Sequence, residues 1–138
     1  MRVLCFFALL FLLFNCSPPS VSYERIIENN SSYDIWVINP TTNCDGFSEI
    51  GFQDSILVLS NTRQVLELTT ENNGDVSNFS DCPSVCLDNI DSRINNHDSL
   101  GLAASLQATN NNWQYTVLQP GESGSCECEL TITDAGIN

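Results

Sequence analysis

Past residue 22 the chain is broken at short intervals by groups that turn the backbone. They are Asn29-Asn30-Ser31-Ser32, Ser60-Asn61-Thr62-Arg63, Asn72-Asn73-Gly74-Asp75, Asn110-Asn111-Asn112 and Pro120-Gly121. Asn, Ser and Asp side chains bond their own backbone, and Gly and Pro fix dihedrals that no helix or strand continues. Where such groups lie close together, the seven or eight residues between them, as at 64–71 and 113–119, hold a short strand but not a helix of ordinary length. The residues between the breaks agree. Residues 33–39 (Tyr-Asp-Ile-Trp-Val-Ile-Asn) are aromatic and β-branched, and residues 126–133 alternate Cys126, Cys128, Leu130 and Ile132 with Glu127, Glu129, Thr131 and Thr133. That alternation gives a strand one core face and one solvent face. Further strands are expected at 23–28, at 55–59 and 64–69 as a hairpin, at 100–107 and at 113–118. Residues 33–39 carry apolar side chains on both faces, which predicts a strand buried on both sides at the centre of a sheet. Residues 77–99 are polar and without period, which predicts a long loop that is either stapled or mobile. Six or seven short strands and no amphipathic helix predict an all-β fold, an antiparallel β-sandwich or small barrel.

The chain ahead of the turns has a different character. Arg2 is followed by an apolar run from Val3 to Phe14 that ends Leu13-Phe14-Asn15-Cys16, and Ser17-Pro18-Pro19-Ser20 comes next. One charge, an apolar stretch too short for a permanent span and a polar break are the layout of an export signal. Leu13 and Cys16 resemble the lipobox of bacterial lipoproteins, in which the cysteine is acylated and becomes the N-terminus. Phe14 and Asn15 depart from the small residues of that pattern. The resemblance implies a signal peptide at 1–15, a lipid-bearing Cys16 with a Ser/Pro tether at 16–22, and one acidic domain at 23–138 anchored to the cell envelope, at the outer membrane. Ser20-Val21-Ser22 offers a competing cleavage point after Ser22, which would release a secreted chain.

A second resemblance rests on Asn29 to Tyr33 and on Leu130-Thr131-Ile132-Thr133-Asp134. These ends of the domain are similar to those of small, uncharacterised β-rich lipoproteins of Gram-negative bacteria. The similarity implies an immunoglobulin-like or related sandwich and carries no activity with it.

Charge narrows the partners. After Cys16 there are three arginines against all 17 carboxylates, a net charge of −14, and the sequence contains no lysine. Nucleic acid and anionic lipid surfaces are therefore repelled over about a Debye length. Amine nucleophiles, Schiff bases and lysine phosphate loops are absent. The expected partners are the membrane, through the anchor, and an envelope protein or glycan. The oxygen-rich stretches 71–75 and 88–91 could hold calcium, although neither has the twelve-residue loop spacing.

Cysteines carry the sharpest site expectation. Setting aside Cys5 in the signal segment and Cys16, five remain: Cys44, Cys82, Cys86, Cys126 and Cys128. An exported domain favours disulfides. Cys126 and Cys128 point the same way from one strand with Cα atoms about 6.5–7 Å apart, too far to pair with each other. Each should bond one of Cys82 and Cys86, two bridges stapling the loop to the last strand, with Cys44 free. The alternative is a zinc or copper(I) site built from thiolates of Cys82, Cys86, Cys126 and Cys128.

Enzymatic signals are weak. His97 lies between Asn96 and Asp98-Ser99, a polar turn, whereas a triad is assembled from distant segments. No phosphate loop, nucleophile elbow or zinc-protease pattern occurs. Trp36 and Trp113 could line a sugar or peptide groove, but each sits in an apolar strand pattern that predicts core packing. The expectation is a non-enzymatic module without a cofactor.

Overall fold

The computed structural model describes residues 18–38, 55–83, 90–107 and 112–138. Cys5, Cys16, Cys44 and Cys86, and with them the signal segment and the stretch 39–54, lie outside those residues. Seven strands occur among the described residues: β1 (Ser20–Asn29), β2 (Ile35–Ile38), β3 (Ser55–Val58), β4 (Thr62–Asn72), β5 (Asp91–Ile94), β6 (Gln114–Gln119) and β7 (Ser125–Ile132). One sheet has the order β4-β1-β7-β6 and the other β3-β2-β5. The core lies between them. Val21, Tyr23, Ile27, Leu66, Cys128, Leu130 and Ile132 of the larger sheet meet Ile35, Val37, Val58 and Ile94 of the smaller. The fold is an all-β sandwich, with every pairing antiparallel except β1 with β7.

β1 is the strand on which the larger sheet is built. It pairs with β4 on one side and in parallel with β7 on the other, along nearly its whole length. It starts at Ser20, three residues earlier than the apolar pattern indicates, because Ser20, Val21 and Ser22 pair with Asn72, Glu71 and Thr70. Pro19 and the following two serines are therefore part of the sheet margin rather than free tether, and the Pro19 carbonyl accepts from Asn73 N at 2.8 Å. The β1/β4 register slips between Arg25 and Ile26, leaving Leu66 as an extra residue on β4. A bulge of this kind lets neighbouring side chains turn inward together, and Leu66 and Glu67 are both buried.

Asn29 closes the far end. Its Nδ2 donates to the carbonyls of Tyr33 at 2.8 Å and Leu59 at 3.0 Å, while its Oδ1 accepts from Ser31 N and Oγ. One buried amide thus ties the β1–β2 turn to the β3–β4 corner. Such bonds satisfy backbone carbonyls that water cannot reach.

Several expectations are corrected. Residues 55–59 and 64–69 do not form a hairpin: β3 pairs with β2 and β4 with β1, so the chain crosses between sheets at the Ser60-Asn61 turn, where Asn61 takes φ of 55°. The reason is depth of burial. Val58 and Leu66 both face the core between the sheets, and a flat hairpin would place them in one layer. Residues 100–107 form no strand; Leu102 makes a single bridge to Ile137. The even-numbered side chains still pack inward, with Leu106 buried and Leu100, Leu102 and Ala104 against the core. Within the expected loop 77–99 there is a strand, β5. β2 is the centre of its sheet, as its apolar sequence predicts, but only Ile35 and Val37 are buried, while Trp36 and Ile38 remain partly open.

Candidate functional site

The last strand delivers its cysteines as its alternation requires. Cys126 and Cys128 are buried on the inner face of β7 and do not bond each other. Cys128 is joined to Cys82, with Cα atoms 5.6 Å apart. Cys82 follows the 3-10 turn Val76–Phe79, its N–H donates to the Phe79 carbonyl at 2.9 Å, and its φ of 51° reverses the chain into the core. The segment is held by more than the bridge. Tyr23 stacks on Phe79 with centroids 4.6 Å apart and donates its hydroxyl to the Pro83 carbonyl, and Tyr115 donates to the Val76 carbonyl. An irregular segment stapled to β7 is therefore what forms.

The second expected bridge does not form. Cys126 is an unpaired, buried thiol. Its Sγ lies 3.9 Å from the Val76 carbonyl, whereas that of Cys128 lies 3.9 Å from the Phe79 carbonyl. The two-residue step along β7 carries Cys126 to the start of the 3-10 turn, away from Cys82 at its end, and Cys86 lies outside the described residues. Burial pushes the Cys126 thiol up, and burial together with Cys126 pushes the Tyr115 hydroxyl up to about 12. A thiol held protonated is a poor nucleophile and a poor metal ligand. With Cys82 and Cys128 oxidised, the four-thiolate zinc or copper arrangement is not assembled.

The other expected residues are dispersed. His97 is exposed in its turn and packs edge-on against Tyr33, with centroids 5.2 Å apart. Asp75 caps the 3-10 turn through Ser77 N, a bond that holds its carboxyl below the usual range, and Glu71 accepts from Asn78. Asp75 borders an open hollow of about 450 Å³ with Pro19, Asn73, Gly74, Asn78 and Glu122. Asp91 caps its own neighbour, Ser92 N, while Asp88 lies outside the described residues.

The tryptophans divide. Trp113 is buried as its pattern predicts, and the Arg25 guanidinium lies 3.8 Å from its ring centroid. Arg25 is itself fully buried, opposite buried Glu67 on β4, with Nη2 donating to the Leu106 carbonyl at 3.3 Å. Burial lowers its pKa, while Tyr23 and Glu67 act the other way. No sequence signal marks this arginine, since a charged residue at an inward position reads as a break in the pattern. Trp36, by contrast, is not a core residue. It stands on the outer face of the smaller sheet, its Nε1 donating to Asn95 Oδ1 at 3.2 Å, and it lines an open hollow of about 250 Å³ with Ile38, Ser55 and Arg93.

That hollow is the best-formed candidate site. Trp36 is directly opposite Arg93 on β5 and Leu57 on β3, and Ile38 is opposite Asp91 and Ser55. The indole N–H is already used by Asn95, so the ring offers its face and edge rather than its donor. Among the described residues, Arg93 is the one guanidinium that is exposed and makes no ion pair: Arg25 is buried, and Arg63 is paired with Glu127 and Glu129. An aromatic face beside an uncommitted cation can bind a ring and an anion side by side. Among the described residues, no group of three or more His, Cys, Asp or Glu side chains is placed to hold a metal ion.

No protein family, no characterised protein and no solved structure matches this chain.

Proposed function

We propose that the protein is an exported lipoprotein, held at the cell envelope through Cys16, whose β-sandwich acts as a non-enzymatic binding or accessory module. The observation that carries this reading is where β1 begins. Val21 is fully buried, and Ser20 to Ser22 pair with β4. Cleavage after Ser22 would remove a core side chain and three positions of the central strand. Removal of one buried valine alone costs on the order of 1.5–3 kcal/mol. Processing at Cys16 leaves the strand whole. It also leaves only Ser17, Pro18 and Pro19 between the lipid and the sheet, at most roughly 13 Å of chain counted from Cys16 to Ser20. The domain then sits close against the bilayer, where its acidity keeps it from lying flat on anionic headgroups.

Fractionation of cells expressing the intact chain and Cys16→Ala tests the reading. The intact protein is expected in the detergent-soluble membrane fraction and the variant in the aqueous envelope fraction. Equal partitioning of the two contradicts it.

A further inference from the structure

We propose that the hollow between Trp36 and Arg93 binds a sugar ring carrying a single carboxylate at the end of a glycan. The inference deepens the reading of the domain as an anchored binding module and rests on it. Four observations carry it. The hollow is open and shallow, about 250 Å³, smaller than the roughly 300–1,000 Å³ that encloses a drug-sized apolar ligand. It has room for about one ring laid on a surface. Its floor is the partly exposed indole of Trp36, held in orientation by Asn95 and flanked by the cross-strand neighbours Arg93 and Leu57. A fixed aromatic plane presents area to the C–H face of a pyranose at little entropic cost.

Arg93 supplies the charge preference. Its planar fork of donors matches a carboxylate in two parallel bonds, and no carboxylate of the described residues occupies it. Asp91, two residues along the same face, is turned to Ser92 N at 2.7 Å. The Ser55 hydroxyl, which lines the hollow, is placed to accept from or donate to ring hydroxyls. The overall charge then sets the limit. A polyanion is repelled by a domain of this acidity, whereas one terminal carboxylate meets Arg93, the one exposed guanidinium without an ion pair among the described residues, with the rest of the field screened.

The test uses the full chain purified in detergent and a panel of short oligosaccharides ending in glucuronate, galacturonate or sialate, each beside its neutral counterpart. Calorimetry gives affinity, and the two indole N–H resonances report where binding occurs. At least one acidic member is expected to bind roughly ten- to a hundredfold tighter than its neutral counterpart, the worth of one charge-assisted hydrogen-bond pair. It should shift the Trp36 signal while the buried Trp113 signal stays in place. Arg93→Gln should abolish the difference and Arg93→Lys keep part of it; position 93 is exposed, and unchanged thermal melting confirms the fold. The proposal is overturned if no acidic terminus moves the Trp36 resonance at millimolar concentration, if neutral and acidic members bind alike, or if Arg93→Gln retains the preference. These results are independent of the anchor. Cys16→Ala that stays in the membrane defeats the envelope reading, whereas loss of saccharide binding in a chain that fractionates as expected defeats only this site.

Discussion

Arg63 of β4 is ion-paired with Glu127 of β7 across β1, the strand that separates them. The same guanidinium approaches Glu129 at 3.7 Å. Its side chain therefore crosses the outer face of the central strand, where Ile26 is fully buried although it belongs to no part of the inner core. One arginine serves a face that also carries Glu24 and Glu28, with Glu24 directly opposite Glu127 and Glu28 flanking Glu129 through the parallel register.

The crowding has a pH signature. Burial raises the Glu129 carboxyl, and Glu28 and Glu127 add to it while Arg63 opposes. A carboxyl raised on folding contributes stability at pH below its unfolded value, and the contribution is lost as pH rises through its folded value. Glu129→Gln should therefore melt higher than the native chain at pH 7, with the gap closing by about pH 4. Asp134 is the opposite case. It accepts from Ser32 N and Oγ, which lowers its carboxyl. Asp134→Ala should melt lower at neutral pH, and the deficit should fade as acid protonates the native aspartate. Thermal melts of both variants between pH 2 and 7.5 check the two signs together.

The bridge between Cys82 and Cys128 closes a loop over a sequence separation of 46. The chain-entropy relation gives about 4 kcal/mol for a loop of this length. Reduction, or Cys128→Ser, should lower the denaturation midpoint accordingly and free the segment carrying the 3-10 turn for proteolysis. Peptide mapping without reductant should recover Cys82 linked to Cys128. Cys126 should resist alkylation in the folded protein and react in denaturant.

Arg25 and Glu67 are buried opposite charges at facing positions of β1 and β4, and Glu67 favours the charged guanidinium although Arg25 Nε and Nη1 find no hydrogen-bond partner. Removing one partner strands the other without water, at a cost of about 3–5 kcal/mol, whereas replacing both with apolar residues is often neutral or better. Arg25→Met should destabilise strongly, and Arg25→Met with Glu67→Leu should recover most of the loss. A double-mutant cycle in urea measures the coupling. A cycle in which the two costs simply add contradicts the pairing.

β7 was legible because each of its residues reports its side, and both β7 and the largely exposed β6 lie within a residue of their expected bounds. β5 was invisible. Among Asp91, Ser92, Arg93 and Ile94 only Ile94 enters the core, and one apolar residue in four defines no period. Residues 100–107 show the converse, since their alternation fixes which side chains turn inward without requiring a ladder. The hairpin expectation failed because sequence adjacency is blind to which sheet a strand joins. The cystine was half legible for the same reason. Strand geometry excluded a bond between Cys126 and Cys128, but the 3-10 turn that decides between them has no hydrophobic signature. Of the candidate site only Trp36 could be read, as a residue able to line a sugar groove, because Arg93 becomes its neighbour only through the β2/β5 pairing, across 57 residues of chain.

What stands at the front of β1 is read most directly from the mass of the N-terminal peptide of membrane-extracted protein. The expected peptide begins at Cys16 and carries acyl mass on that residue, with Val21 retained. A peptide beginning at Tyr23, or a Cys16 without added mass, would contradict it.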